Sequence, residues 1–125
     1  MKQSKRPEVI VALLVMASVL LVATAEGADR YVRQGATGNG SGSDWTNACP
    51  GFTGACAMSA LVRGDTYYVA DGNYGILTLN KAESGSATIT IKKAILADHG
   101  TDAGCSDVFG DGQAVFGDIF AISNY

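Results

Sequence analysis

The amino-acid sequence predicts a mostly β fold that follows an apolar leader, and three observations carry this prediction. All 16 glycines lie at Gly27 or later, whereas residues 9–23 contain 14 apolar residues out of 15. Beyond the leader, apolar and polar residues alternate in short runs with a period of two, which is typical of half-buried strands. Turn-forming Gly, Asp, Asn and Ser residues separate these runs at intervals of about 10 to 12 residues, as in a sandwich, a barrel or a β-solenoid.

The leader, residues 1–25, has the three parts of a secretory signal peptide. A basic start (MKQSKR) precedes an apolar run of 15 residues, and small side chains at Ala23 and Ala25 precede a cut at Glu26. The run is short for a membrane span, which needs about 20 residues. We therefore expect residues 26–125 to be secreted, either extracellular or periplasmic. The alternative is an uncleaved leader that anchors them to the membrane.

Charge narrows the classes of partner. After cleavage the chain keeps 6 Lys and Arg against 11 Asp and Glu, a net charge of −5. Such a balance argues against an electrostatic nucleic-acid binder. An acidic polysaccharide would need a bound cation or a local basic patch to overcome the repulsion.

The segment directly after the leader holds little regular structure. Residues 31–33 predict a short strand, and the Gly/Ser/Thr/Asn-rich stretch 34–54 predicts a loop, because its composition cannot hold a regular element. Residues 55–62 predict one or two helical turns that end at Gly64.

Strands dominate the remainder. Runs at 66–70, 76–80 and 88–92 each place alternate apolar side chains on one face, and two further strands are expected near 114–116 and 119–122. The face-forming pairs are Tyr67 and Val69, Leu77 and Leu79, and Ile89 and Ile91. The polar stretch 93–112 has no clear period and predicts a long excursion. No tight two-residue hairpin signal joins the strands, which favours a solenoid over hairpins.

The three cysteines allow three disulfide pairings. Cys49 and Cys56 bracket a turn-rich loop, and a bridge there would contribute about 2 kcal/mol to stability. We favour this pairing, which leaves Cys105 over for an intermolecular disulfide, a free thiol or a partner that the sequence does not contain. The other pairings, and three reduced cysteines, stay open.

Candidate chemistry is sparse. Asp107, Asp111 and Asp118 lie in glycine-rich turns that could offer oxygens to calcium, and the stretch 39–44 faintly resembles a calcium repeat, but the spacings fit no known loop well. We expect no cofactor, no metal and no catalytic residue. His99 is the single histidine, and without an orienting third group near it and Cys105 we expect a surface loop side chain.

A resemblance to a known family adds to this prediction. Its motifs are Tyr31-Val, the loop from Gly35 through Trp45 to Asn47-Ala48, the segment LVRGDTYYVADGNY over 61–74, and Ile-Thr-Ile-Lys over 89–92. In this order they resemble the N-terminal cap and first coils of secreted right-handed parallel β-helix proteins, the pectate-lyase-like superfamily. The resemblance implies a cap over 26–64 with a short plugging helix, and first coils over 65–125.

The same resemblance sets the expected core. Trp45, Met58, Leu61 and Val62 would plug the end of the solenoid, and the Tyr74 ring would pack over a corner that begins at Gly72. The full set of cap and core candidates is Trp45, Leu61, Tyr67, Val69, Tyr74, Leu77, Leu79, Ile89 and Ile91.

Polysaccharide is the partner that the resemblance implies for a full-length relative. The family's calcium-binding aspartates and catalytic arginine or lysine lie on middle coils, which would fall beyond Tyr125. We therefore expect a truncated fragment that has no activity on its own. Two alternatives stay open: a piece of a non-catalytic surface or adhesion β-helix, and a small self-contained secreted β module.

Overall fold

A computed structural model describes residues 26–100, 103–117 and 120–122. The predicted leader, residues 1–25, and Asp118 lie outside the described residues. The described chain contains seven short strands: β1 (Asp29–Val32), β2 (Thr66–Val69), β3 (Gly72–Asn73), β4 (Leu77–Leu79), β5 (Thr90–Lys93), β6 (Ala114–Val115) and β7 (Phe120–Ile122). Single turns of 3₁₀ helix span Gly54–Cys56, Met58–Ala60 and Asp107–Phe109. None of the described helices is long and apolar enough to cross a membrane.

The strands pair in parallel throughout the described chain. β1, β2 and β5 form one sheet in that order, β3 pairs with β6, and β4 pairs with β7. The strands β2, β3 and β4, here called the first triplet, therefore pair in chain order with β5, β6 and β7, the second triplet. Parallel partners need long connections, because a tight hairpin can join only antiparallel strands.

The strand predictions from alternation are confirmed to within two residues, and two local predictions are wrong. The Asp-Gly-Asn sequence at 71–73 has the composition of a turn between two strands and predicts one there. In the structure Gly72 and Asn73 instead form β3, since the amides of Gly72 and Tyr74 donate to the carbonyls of Gln113 and Val115 at 3.0 and 2.8 Å. The helical run at 55–62 is instead two separate turns, because Ala57 between them is extended, with ψ 145°.

Two cores cover the two faces of β2. Tyr67 and Val69 pack on one face with Val32, Leu61 and the disulfide cysteines, here called the inner core. Tyr68 and Ala70 pack on the other face with Tyr31, Trp45 and Ala94, the outer core. The alternation pattern predicted one buried face, but both are buried, since the loops after β1 and β5 supply Trp45 and Phe109.

The candidate core residues differ in burial. Five are buried: Trp45, Leu61, Tyr67, Val69 and Leu77. Four are half-buried: Tyr74, Leu79, Ile89 and Ile91. The predicted plug residue Val62 is 49% exposed, which is a correction. Its neighbour Leu61 is extended (ψ 140°), so consecutive side chains point to opposite sides and only Leu61 enters the core.

The outer edge of β1 is covered by the loop that follows it. Tyr31 donates its amide to the Gly42 carbonyl at 3.0 Å, and the Cys49 amide donates to the Tyr31 carbonyl at 2.9 Å. Arg33 adds a bond from its amide to the Cys49 carbonyl at 2.8 Å. Of the possible pairings, the structure contains the Cys49–Cys56 disulfide, with both residues buried. The loop and its disulfide therefore close one end of the sheet.

Asp65 anchors the start of β1 to β2. Among the described residues, Asp65 is the only charged residue that is buried, with 4% of its surface exposed. Its carboxylate accepts hydrogen bonds from the Ala28 amide at 2.8 Å and from Arg30 Nε at 3.0 Å. A buried charge is tolerated only with such partners.

Candidate functional site

The long loop between β5 and β6 passes the end of β2 and forms a polar corner with the residues that follow β2. Its first residue, Ala94, donates its amide to the Val69 carbonyl at 2.9 Å. Near its far end, the Phe109 carbonyl accepts the Asp71 amide at 2.9 Å. The loop is thus fastened at two points to the segment that follows β2.

Asp71 is the centre of this corner. Lys93 Nζ lies 2.5 Å from its Oδ1, and the Gly112 amide donates to its Oδ2 at 2.5 Å. Asp111, which directly precedes Gly112, is the other charged residue of this corner. Asp71, Lys93, Asp111 and Gly112 are here called the corner cluster.

The ion pair sets the charge state of the corner. Partial burial raises the pKa of the Asp71 carboxyl, but the hydrogen bonds from Lys93 and from the Gly112 amide outweigh it and bring the pKa below its ordinary value of 3.8. Asp71 and Lys93 are 20% and 25% exposed. The pair is therefore ionised near neutral pH and its charges compensate each other.

Gln34, from the loop after β1, closes the corner against β3. Its side-chain amide donates to the Asn73 carbonyl, and its Oε1 accepts the Asn73 amide at 3.2 Å. A Cβ at Gly72 would lie 2.8 Å from Gln34 Oε1, and the φ of Gly72 is +148°. Only glycine fits there without displacing Gln34.

Tyr74 packs beside the same corner. Its hydroxyl donates to the Ala70 carbonyl at 2.9 Å, and burial raises its pKa to about 12. Its ring contacts Phe52 and Phe116 with centroids 6.0 and 5.8 Å away. Phe52 lies in the loop after β1, Tyr74 directly follows β3 and Phe116 directly follows β6. The three rings therefore join the loop to both triplets.

A shallow depression lies beside the corner. Its cavity volume is about 10 Å³, and His99, Cys105, Asp107 and Phe109 are among its lining residues. This is roughly the space of one water molecule and far below the roughly 300 Å³ at which small-molecule pockets begin. Cys105 is not disulfide-bonded and packs against the outer core.

His99 is half-buried rather than an open surface side chain, which corrects the sequence-based expectation. The Trp45 indole Nε1 donates to the His99 carbonyl at 3.0 Å. This bond draws the loop onto the outer core, because the buried indole needs a partner for its one donor. Nothing in the sequence links Trp45 with a residue 54 positions later.

Of the three aspartates considered as calcium ligands, Asp107 and Asp111 lie within the described residues. Among the described residues, no group of three or more His, Cys, Asp or Glu side chains could hold a metal ion. In the stretch 39–44, the Asp44 carboxylate instead accepts the Asn47 amide at 2.8 Å and the Asn47 side chain at 3.0 and 3.2 Å. These bonds lower the pKa of Asp44. Its carboxylate holds the loop itself.

No family model, no curated protein and no solved structure matches this chain. What the corner can do chemically therefore follows from its contacts alone. Asp71 and Lys93 face each other, and the remaining bonds run to backbone groups of neighbouring strands. The corner cluster fastens the second triplet to the first.

Proposed function

We propose that residues 26–125 form the capped N-terminal end of a secreted parallel β-solenoid of the polysaccharide-acting, pectate-lyase-like type. The observation that carries this proposal is the pairing of the two triplets. Three strands in chain order pair in parallel with the next three, and each pair belongs to a separate small sheet. A chain that coils and stacks each coil on the last produces this pattern.

The cap supports the same proposal. A stack of coils exposes unpaired strand edges at its ends, and these need cover. The loop over 34–49 supplies that cover on the β1 side, through its bonds to Tyr31 and Arg33 and through the buried disulfide. Trp45, with no exposed surface, fills the space beside it.

The opposite edge of the same sheet is formed by β5. β5 is the edge strand of its sheet in the described chain. The amides of Thr90 and Ala94 point to β2 at 3.1 and 2.9 Å, so those of Ile91 and Lys93 point away from it. Burial also decreases from β2 to β5. Tyr67 is 1% exposed, whereas Ile91, its partner in β5, is only half-buried.

On this proposal the polysaccharide chemistry belongs to coils stacked beyond the second triplet. Within the corner cluster, Asp71 and Lys93 compensate each other's charges, and the mature net charge of −5 disfavours an acidic glycan. We expect the chain by itself to be inactive on polygalacturonate, as judged by the release of reducing ends.

The deciding experiment reads the genomic sequence directly downstream of the Tyr125 codon. We expect further units with period-two strands, at the repeat length of roughly 20 to 45 residues that solenoids use. Clustered Asp and Arg on one face of those units would support a polysaccharide-acting protein. Thr and Asn ladders without charge clusters would instead indicate a non-catalytic surface or adhesion protein.

A small self-contained β module is the second candidate, and the two buried cores with their disulfide favour it. The discriminating measurement is denaturant unfolding of the secreted protein, followed by analytical ultracentrifugation. A monomer that unfolds in one cooperative transition, together with unrelated sequence downstream, would contradict the capping proposal and support the module.

A further inference from the structure

An Asn-Gly dipeptide lies in the loop over 34–49, here called the cap loop. Asn39 is exposed and Gly40 is half-buried, and neither belongs to a helix or strand. Among the described residues other than its chain neighbours, only Pro50 Cδ, at 3.8 Å, would lie within 4 Å of a Cβ at Gly40. Because glycine has no side chain, nothing on its Cα obstructs an approach of the Asn39 side chain to the Gly40 amide.

The hydrogen bonds of this dipeptide hold one group and leave two others unbonded. Asn39 Oδ1 accepts the Ser41 amide at 2.9 Å, which closes an Asx turn around the Gly40 peptide. Within the described part of the chain, neither Asn39 Nδ2 nor the Gly40 amide donates a hydrogen bond. The bond to Oδ1 also draws electrons from Cγ and makes this carbon more electrophilic.

Asn73 has the same turn without the same freedom. It is also exposed, and its Oδ1 accepts the Gly75 amide at 3.0 Å. The amide that follows it belongs to Tyr74, however, and donates to the Val115 carbonyl at 2.8 Å. The backbone nitrogen after Asn73 is therefore held by a neighbouring strand and carries a large side chain on its Cα, whereas the nitrogen after Asn39 has neither restraint.

We infer that Asn39 is a site of spontaneous deamidation, which proceeds through a cyclic imide formed with Gly40. The Gly40 amide nitrogen loses its proton and bonds to Asn39 Cγ, the Cγ–Nδ2 bond breaks, and ammonia leaves with that proton. The reaction is intramolecular, so the turn that holds the two groups together favours it. Solvent water then opens the ring. Attack at Cγ gives aspartate, and attack at the backbone carbonyl gives isoaspartate, so one water is consumed for each ammonia released.

The reaction changes the cap loop in two ways. Either product replaces a neutral amide with a carboxylate and adds a negative charge to the loop. Isoaspartate also lengthens the backbone by a methylene group, between the Asn39 amide, which donates to Asn47 Oδ1 at 3.2 Å, and the Gly42 carbonyl. That carbonyl accepts the Tyr31 amide at 3.0 Å. The cover over the β1 edge therefore loosens as the conversion proceeds.

Peptide mapping of the full chain tests the chemistry. The protein is incubated in mildly alkaline water enriched in oxygen-18 and then digested in ordinary water, so that conversion during digestion is told apart. We expect the peptide that contains Asn39 to gain about 3 Da and to elute as two products, aspartate and isoaspartate. Asn39→Gln should show no such gain, because its longer side chain has to close a larger ring. Asn73 should stay unchanged over the same period.

Gly40→Ala tests the attacking amide, and Gly35→Ala is its matched control. The φ angles of Gly40 and Gly35 are +71° and +70°, so both variants carry the same backbone strain in the same loop. Only Gly40→Ala places a Cβ beside the attacking nitrogen, and we expect its conversion at Asn39 to be at least about tenfold slower than that of Gly35→Ala. Equal rates in the two variants, or no mass gain at Asn39 in the parent, overturn the inference.

The fluorescence of Trp45, the single tryptophan, checks that each variant folds. If Gly40→Ala does not fold, the comparison of the parent with Asn39→Gln decides. Hydrogen exchange tests the loosening: we expect the Tyr31 amide to exchange at least about threefold faster in the isoaspartyl protein than in the fresh parent. Equal exchange at Tyr31 would overturn the loosening of the cap loop.

Discussion

Gly42 lies where the cap loop meets the disulfide. Its φ is +73°, and a Cβ there would lie 3.1 and 3.2 Å from the sulfurs of Cys56 and Cys49. We expect Gly42→Ala to lower the free energy of unfolding by the roughly 1–2 kcal/mol of a left-handed backbone plus about 1–3 kcal/mol of overpacking. Denaturant unfolding measures both.

Gly35 is the matched control for this substitution. Its φ is +70°, and a Cβ there would meet nothing within 4 Å. Gly35→Ala should show the backbone cost alone. Equal losses for the two variants would mean that the loop moves away from the disulfide without resistance.

Asp71 gives the molecule a defined response to acid. Because its folded pKa lies below 3.8, the stability that it contributes is fully present above about pH 5 and is lost as the pH falls through the folded pKa. We expect Asp71→Asn to be less stable than the parent near pH 7, on the order of 1 kcal/mol, and to lose less stability between about pH 5 and pH 2. Urea titrations at each pH measure this.

The exposed pair of Lys92 and Asp98 provides the comparison. Hydrogen bonding to Lys92 lowers the pKa of Asp98 in the same direction, but this carboxylate lies in open solvent. Asp98→Asn should change the acid profile less than Asp71→Asn does. A larger change at Asp98 would count against the corner cluster as the acid-sensitive contact.

At the scale of elements, the Cys49–Cys56 bridge is expected to matter more than its short loop suggests. The loop-entropy relation gives about 2 kcal/mol, and both sulfurs also fill the inner core. We expect Cys49→Ala with Cys56→Ala to lose at least about 2 kcal/mol of unfolding free energy. Cys105→Ala is the control and should lose less, because Cys105 is only partly buried and takes no part in the bridge.

Hydrogen exchange should separate the two sides of β5. The amide of Ala94 bonds to Val69 of β2, whereas those of Ile91 and Lys93 point away from the sheet. We expect slow exchange at the amides of Thr90 and Ala94 and fast exchange at Ile91 and Lys93, resolved by NMR. Uniform slow exchange along β5 would mean that its outer edge is covered in solution.

The sequence predicts the faces of these elements better than their partners. Period-two alternation identified the strands around Tyr67, Leu77 and Ile91, because burial of one face dictates that pattern. It carries no information on which strand lies beside which, so the parallel register could be expected only from a family resemblance. The strands β3 and β6 have two residues each and are too short for any period to register.

The sequence analysis did not predict the corner cluster, although one feature of the sequence points to it. Asp71 and Lys93 lie 22 positions apart, and no spacing rule joins them. Yet Ile89, Ile91 and Lys93 are alternate residues, so the lysine lies on the face of the strand that the two isoleucines predict to be buried. A charge at such a position needs an opposite charge nearby, and a search among the aspartates that follow strands would have reached Asp71.

For the whole molecule, the predicted leader would direct the chain to secretion, so that the fold forms outside the cytoplasm. We expect the secreted protein to begin at Glu26, which intact-mass measurement of the purified protein checks. Ala25→Pro should block the cut and leave the leader in place, whereas Ala28→Pro, beyond the cut, should leave processing intact. A full-length mass for the parent, recovered from the membrane fraction, would favour the uncleaved anchor.

Parallel pairing also sets the pace at which the molecule assembles. Asp29 pairs with Thr66, Thr66 with Thr90, and Leu77 with Phe120, so each sheet closes only after dozens of intervening residues are held in place. Such long-range closures carry an entropic cost before any contact compensates for it, and chains dominated by them fold in milliseconds to seconds rather than microseconds. β2 with β5 is the shortest of these closures and is therefore the expected nucleus, with the cap and its disulfide joining later.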